Sequence, residues 1–135
     1  MPEDRGLKLA RMLLLLGGWV AAPVFGGTLA VESTEPPRNA GNVAPTSAIT
    51  IHFDRAVAAA SVSGVSFRAY GKQSGPVSGT FTLLPGNLAV RLRPGRPCVP
   101  GETVLVNLSH DLAAVDGSLL RAAGYAYQFS VAATG

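Results

Sequence analysis

Apolar and other residues alternate with a period of two along most of the chain after residue 29, as in β-strands. The pattern is clearest in two segments, 102–109 and 124–132. Their apolar positions are Val104, Val106 and Leu108 in the first and Tyr125, Tyr127, Phe129 and Val131 in the second. Side chains two positions apart lie on one face of a strand. We therefore expect these two strands to close a sheet over the core.

The same alternation predicts five further strands, at 29–34, 47–53, 64–70, 77–84 and 88–93. Their expected inward faces include Ile49, Ile51 and Phe53; Val65, Phe67 and Ala69; and Leu88, Val90 and Leu92. Gly79 is expected at a bulge or a close backbone contact. The alanine run in 54–61 predicts one helical turn, because an isolated helix needs about 12 residues.

These predicted strands indicate an all-β fold, an Ig-like antiparallel β-sandwich of about seven strands. Turn signals at intervals of roughly 8 to 12 residues are typical of such sandwiches. The chain of 135 residues has 16 glycines and 10 prolines, which fits many short strands joined by turns. The length suits one domain. The antibody-type Cys…Trp…Cys set is missing, because the only tryptophan is Trp19.

Residues 1–30 have the order of a secretory signal peptide, with a basic start, an apolar middle and small residues at the end. The basic residues are Arg5, Lys8 and Arg11, and cleavage is expected after Ala22, Gly27 or Ala30, with a preference for Ala30. The alternative is an uncleaved anchor, since 12–31 holds 20 uncharged residues. Pro23 and four glycines in that window argue against a spanning helix. Any membrane association is thus expected only through residues 12–31.

Charge and cysteine content exclude several classes of protein. Without residues 1–22 the chain has eight basic and six acidic residues, so its near-neutral charge gives no reason to expect a nucleic-acid partner. Cys98 is the only cysteine, which excludes an intrachain disulfide and a zinc site with two or more cysteines from this chain. We expect Cys98 to be buried; the alternative is an exposed thiol that bridges two chains.

Several short motifs, in order, resemble the bacterial Ig-like domain of the S-layer SbsA type. They are Ser33–Pro36 with Asn42–Val43, Ile49–Val57, Ala60–Val62, Val99–Thr103, Asp111–Leu112, Asp116–Gly117 and Tyr127–Phe129. Val104 stands where that family often has tyrosine. The resemblance assigns 31–133 to one such domain, of the kind found next to FG-GAP repeats in exported bacterial proteins. It implies an accessory module without catalytic residues.

The connection 109–124 carries the strongest candidate for chemistry. His110, Asp111 and Asp116 lie within seven residues and would form a weak cation site if they converged. The structural alternative, which we favour, is that Asp111 caps a helical turn over 112–114 and that Asp116 and Gly117 form a tight turn. No metal site is therefore assigned.

The remaining candidates have structural explanations as well. His52 is expected on the solvated face of its strand. Arg91 and Arg93, followed by Arg96, form a basic face that suits an acidic polymer or phosphate, but we favour the structural explanation, an outward soluble face or a charged edge strand. No exposed aromatic for stacking on sugars is evident, since core or rim packing explains Tyr70, Tyr125 and Tyr127.

No nucleophile, base and oxyanion donor can be assembled, so we expect no enzyme, no catalytic residues and no cofactor. The function expected is a non-catalytic exported module with a structural, spacing or adhesive role at the cell surface or in secreted assemblies. Neighbouring surface or envelope proteins or glycans would be its partners, and the periplasm is an alternative location. The alternative function is a small carbohydrate- or cation-binding domain that uses 109–124.

Overall fold

The computed structural model describes residues 28–133, and these residues form ten β-strands and no α-helix. The strands are β1 Thr28–Leu29, β2 Val31–Glu35, β3 Ile49–Phe53, β4 Phe67–Gly71, β5 Gly75–Pro76, β6 Gly79–Leu83, β7 Ala89–Pro94, β8 Thr103–Leu108, β9 Leu119–Leu120 and β10 Tyr125–Ser130. Two 3₁₀ turns, Ala59–Ser61 and Pro85–Asn87, lie between them. The predicted signal segment lies almost wholly outside the described residues.

The strands form two four-stranded antiparallel sheets, in the orders β10-β8-β4-β5 and β2-β3-β7-β6. A small parallel pair, β1 with β9, completes the architecture. The seven longer strands are the seven that the alternation predicts, so the prediction of an all-β Ig-like sandwich is confirmed.

The core lies between the inward faces of the two sheets. In the first sheet, Phe129 pairs with Val104 and Tyr127 with Val106 across β10 and β8, and all four are at most 6% exposed. The second sheet contributes Ile49, Ile51, Phe53, Val90 and Leu92, all buried. The faces predicted for β8, β10 and β3 are therefore correct. Burying an aliphatic or aromatic side chain of this size stabilises the fold by about 1.5–3 kcal/mol.

Two predicted core residues are exposed instead, Val65 by 62% and Leu88 by 49%. Val65 lies two residues before β4, and Leu88 lies directly before β7. The N–H of Phe67 bonds to the carbonyl of Ser63 at 2.9 Å, so Val65 belongs to a turn. Leu88 has helical dihedral angles at the end of a 3₁₀ turn. The alternation of apolar residues continues by chance into both turns. The extended backbone does not, so these two side chains do not point into the core.

Gly79 lies where the sequence predicted a close backbone contact. A Cβ at this position would overlap the carbonyl oxygen of Arg93 on the neighbouring strand. Only glycine allows β6 to start pairing there, opposite Pro94.

The first and last described residues lie at opposite ends of the sandwich. At one end, which we call the lower end, Thr28 pairs with Leu119 and the amide of Ala30 bonds to Asp54 at 3.1 Å. At the other, the upper end, the carbonyl of Ala132 accepts a bond from Gly101 at 2.9 Å. The described chain therefore passes along the length of the domain, from the lower end to the upper end.

Candidate functional site

The upper end contains a buried carboxylate, Glu102, which lies just before β8 and is only 1% exposed. Its Oε1 accepts bonds from the amides of Gln73 at 2.8 Å and Ser74 at 2.9 Å. Its Oε2 accepts the amide of Val99 at 2.6 Å and the hydroxyl of Ser74. Four donors from two loops thus converge on one carboxylate, and we call this group the Glu102 cluster.

Burial raises the pKa of Glu102, but the bonds from the Ser74 hydroxyl and from the amides of Ser74, Gln73 and Val99 together lower it below the ordinary value. Hydrogen bonds to the ionised form favour that form. Glu102 is therefore a carboxylate at neutral pH. All four groups that contact the carboxylate are hydrogen-bond donors of the protein's own loops. Glu102 therefore accepts hydrogen bonds and is not placed to transfer a proton.

Gly71, the last residue of β4, lies against this carboxylate. A Cβ on Gly71 would be 2.5 Å from Oε1 and 2.8 Å from Cδ of Glu102. The carboxylate is held by four donors and has little room to move aside. Glycine at position 71 is thus required by the packing of the Glu102 cluster.

Cys98 lies in the same upper loop and is 8% exposed, as predicted for a buried thiol. Its amide bonds to the carbonyl of Pro45 at 2.9 Å, which ties this loop to the one before β3. Burial, and secondarily the charge of Glu102, raise the pKa of the thiol. A thiol with a raised pKa is a poor nucleophile. A cavity of about 340 Å³ lies beside it, lined in part by Ser74, Arg96 and Cys98.

At the lower end, the connection 109–124 differs from the prediction. No helical turn forms over 112–114; instead Ala114 bridges to Val57 and Ala113 bridges to Leu119. The side chain of Asp111 accepts a bond from Ser109 at 3.2 Å rather than capping a helix. The prediction of a cap is wrong because the connection is held by strand-like bridges, which need extended backbone.

Asp116 and Gly117 do form the predicted tight turn. Oδ1 of Asp116 accepts the amide of Ser118 at 2.8 Å, and Gly117 has a φ of 92°. Oδ2 of Asp116 lies 3.3 Å from the guanidinium of Arg55, which also bonds to Ser118. Bonds from Ser118 and the charge of Arg55 lower the pKa of Asp116. The carboxylate is thus already paired with a cation of the protein itself.

The histidines do not converge with these carboxylates. His52 is partly exposed on β3 and its Nε2 lies 3.2 Å from Oε2 of Glu35. His110 is exposed in the turn after β8. Within residues 28–133 there is no group of three or more His, Cys, Asp or Glu side chains placed to hold a metal ion. The same range contains no helix long and apolar enough to cross a membrane.

The predicted basic face lies on an inner strand, not on an edge. β7 pairs with β3 on one side and β6 on the other, so the explanation as a charged edge strand is wrong. Arg93 is exposed, and Nε of Arg91 bonds to the buried hydroxyl of Thr50 at 3.4 Å. Tyr70 is 50% exposed on the outer face of β4, where the sequence suggested core or rim packing.

The Glu102 cluster is the feature that the sequence did not reveal. The motif Pro100-Gly101-Glu102-Thr103 marks a turn before a strand, but nothing in it indicates a buried carboxylate. The donors from Gln73 and Ser74 are 29 and 28 positions away along the chain. Only the topology brings them together.

The fold is an Ig-like sandwich, and comparison with known proteins gives the family. The family described as "Bacterial Ig-like domain" matches residues 27–131. The chain therefore belongs to that family. No curated protein matches the chain.

Several solved structures share the fold. The S-layer protein SbsC, domains 1–6, is 17% identical with a TM-score of 0.59, covering 79% of this chain but 14% of that one. PcoC, a methionine-rich copper resistance protein from Escherichia coli, is 17% identical with a TM-score of 0.61 over 78% of this chain and 99% of that one. LD transpeptidase LdtMt1 is 19% identical with a TM-score of 0.57, covering 78% of this chain and 41% of that one. At these identities the likeness concerns the fold alone.

Proposed function

We propose that this chain is an exported, non-catalytic Ig-like module of the S-layer SbsA type, with a structural, spacing or adhesive role at the cell surface or in secreted assemblies. The observation that carries the proposal is that the polar side chains of the candidate sites bind to other parts of the same domain. The buried carboxylate of Glu102 joins two loops of the protein's own backbone. Such a side chain maintains shape rather than performing chemistry.

The path of the chain supports the spacing role. The described chain runs from the lower end at Thr28 to the upper end near Ala132. A sandwich crossed in this way holds what is joined to its two ends apart by its own length. Its strands of five to six residues alone correspond to about 17–20 Å.

Leu29 bears on where the signal would be removed. It is 1% exposed and pairs with Leu120 in the β1–β9 pair, so it belongs to the folded core. Cleavage after Ala30 would remove this side chain from the domain. We therefore propose cleavage after Ala22 or Gly27, in preference to Ala30.

The alternative of carbohydrate or cation binding through 109–124 has less support. In that connection Asp116 is paired with Arg55 and Asp111 is bonded to Ser109. A metal cation would have to displace the guanidinium of Arg55 before it could bind to Asp116.

A test of surface location can use Lys72, the only lysine after residue 8, which is exposed in the loop after β4. Intact host cells are treated with an amine-reactive label that does not cross the cytoplasmic membrane, and the peptide containing Lys72 is measured by mass spectrometry. We expect the same labelled fraction in intact and lysed cells. Lys72→Arg, which keeps the charge, is the control that must lose this label. Labelling of Lys72 only after lysis would contradict the proposal.

A further inference from the structure

The two sheets have four edges, and each edge strand carries unpaired backbone groups that invite another strand. Natural proteins block such edges with charges, prolines, bulges or covering loops. The edge strands here are β2, β6, β5 and β10. The four edges differ in how open they are to a partner strand.

Three of the edges are blocked. β2 carries Glu32 and Glu35 and an irregular register between Val31 and Ser33. β10 is covered by the loop 39–43, whose backbone bonds to Gln128 and Ser130 at 2.8 to 3.1 Å. β5 is two residues long and contains Pro76, which has no N–H to offer. It pairs only with Tyr70 and Gly71, so the part of β4 left open on this edge, Phe67–Ala69, is at most three residues long.

β6 has none of these devices. Its five residues, Gly-Thr-Phe-Thr-Leu, contain no charge and no proline, and its register with β7 is regular. Within residues 28–133 no strand pairs with its outer edge. Thr80 and Thr82 are exposed, while Phe81 and Leu83 are only half-buried. This is the one edge in the described sheets that is both long and unguarded.

The direction of the backbone groups can be read from the bonds to β7. Ser78 accepts the amide of Gly95 at 2.9 Å, and the amide of Leu84 donates to Ala89 at 2.9 Å. In an antiparallel ladder alternate residues bond to the same neighbour. The N–H and C=O groups of Gly79, Phe81 and Leu83 therefore point outward, away from β7.

An apolar cleft of about 770 Å³ lies beside this edge, between β6 and the open part of β4. Phe67 and Phe81 meet in it, with ring centroids 5.3 Å apart. Val77 and Ala69 add to its apolar lining. A strand that extended the sheet past β6 would cover this cleft as well as pair the free backbone groups.

We propose that β6 is a self-association edge, at which two copies of this chain pair antiparallel about a two-fold axis through Phe81. The sequence around Phe81 is nearly symmetric, so this register places Thr80 opposite the other copy's Thr82 and Phe81 opposite its counterpart. Thr–Thr and aromatic pairs of this kind stabilise neighbouring strands. The product is a continuous eight-stranded sheet with the order β2-β3-β7-β6-β6-β7-β3-β2.

Charge favours a second copy as the occupant. Like charges directly opposite each other would oppose symmetric pairing, and β6 has no charged residue. Arg68 lines the cleft from β4 of the other sheet. Within the sheet that the pairing extends, the basic side chains next to β6 are Arg91 and Arg93, on β7. Those of the two copies would be separated by three strand spacings, about 14 Å, which exceeds the Debye length of about 8 Å at physiological ionic strength. Within this sheet the pairing therefore needs no compensating negative charge.

The test is sedimentation equilibrium of the full chain as isolated from its host, over a concentration series from micromolar to millimolar. Thr80→Lys with Thr82→Lys places lysine opposite lysine in the proposed register. Thr80→Glu with Thr82→Lys places glutamate opposite lysine at both positions. Ser33→Lys, on the blocked edge of the same sheet, is the control. The three substituted positions are exposed, and circular dichroism checks that each variant keeps the parent fold.

We expect the average mass of the parent chain to rise toward twice the monomer mass with concentration. The double lysine variant should remain monomeric, the charge-swapped variant should associate again, and the control should match the parent. A parent that stays monomeric at millimolar concentration overturns the proposal. So does self-association that the double lysine variant leaves unchanged. Failure of the charge-swapped variant to associate would reject the Phe81-centred register, since only that register places the introduced glutamate of one copy opposite the introduced lysine of the other.

Discussion

Each end of the sandwich is fastened by a carboxylate, but the two carboxylates have different surroundings. At the upper end Glu102 is 1% exposed and accepts four bonds, all from loop amides and the Ser74 hydroxyl. At the lower end the side chain of Asp116 is 56% exposed and faces Arg55 at 3.3 Å. Both join distant parts of the chain. Only the first does so where water is excluded.

The difference in surroundings determines how much each carboxylate contributes to the free energy of unfolding. An exposed ion pair exchanges bonds with water and is screened by salt, so its net contribution is small. A buried carboxylate that loses its charge leaves amide donors without an acceptor, which carries the full cost of their desolvation. The upper end therefore depends on one side chain. The lower end depends on apolar contacts of buried residues such as Leu29, Leu112 and Leu120.

The largest effect is expected from the core that both ends share. Phe129→Ala should lower the free energy of unfolding by about 3–5 kcal/mol, since Phe129 is 3% exposed and pairs with Val104. Gln128→Ala, on the exposed face of the same strand, is the control and should cost little. Urea denaturation followed by circular dichroism measures both. A loss well below this range would mean that β10 does not close the core.

The next effect is expected at the upper end. Glu102→Gln keeps the shape of the side chain but turns an amide NH₂ toward the donors, and should cost about 2–4 kcal/mol at neutral pH. Asp111→Asn, which neutralises an exposed carboxylate at the lower end, should be close to neutral. Equal losses in the two variants would contradict the contrast between buried and exposed carboxylates.

The same residue predicts an acid dependence. The pKa of Glu102 is lowered in the folded protein by the bonds it accepts, which outweigh the effect of burial. The unfolded chain therefore takes up the proton at a higher pH than the folded one. The stabilisation is complete above the ordinary glutamate pKa and is lost as pH falls through the lowered folded value. The stability difference between parent and Glu102→Gln should shrink over that range, and a difference independent of pH would contradict it.

Gly71→Ala tests the packing around the same carboxylate and should cost about 1–3 kcal/mol through overpacking. Combining it with Glu102→Ala should cost less than the sum of the two single changes, because the atoms that the new Cβ meets are then absent. Gly41→Ala, where a Cβ would have nothing within 4 Å, is the control. Strict additivity of the double variant would place Gly71 outside the Glu102 cluster.

The smallest effect is expected from Asp116→Asn at the lower end. The ion pair with Arg55 is lost, but Asn retains an oxygen for the amide of Ser118. The melting temperature should remain close to that of the parent at physiological salt. A loss as great as that of Glu102→Gln would show that the lower end also depends on a single carboxylate.

The sequence predicted the seven longer strands, because alternation over five or more residues reports which face is buried. Two-residue strands such as β1 and β9 are too short to show a period. The alternation predicts Val65 and Leu88 in the core, but both are exposed, because the alternation continues into the turns before β4 and β7. The cap predicted for Asp111 is wrong because bridges from Ala113 and Ala114 hold that connection extended.

The site was less predictable than the fold, for a physical reason. A buried carboxylate is stable only where donors converge, and those around Glu102 come from Gln73 and Ser74 on one side and Val99 on the other. That convergence is a property of the topology. A local motif around Glu102 contains no trace of it.

The most direct test of an exported module is the intact mass of the chain recovered separately from culture fluid, envelope and cytoplasm of its host. We predict a mass lacking residues 1–22 or 1–27, found outside the cytoplasm. Such a mass would keep Leu29 in the domain. A full-length mass confined to the cytoplasm would contradict export, and a full-length mass confined to the membrane would make residues 12–31 an anchor.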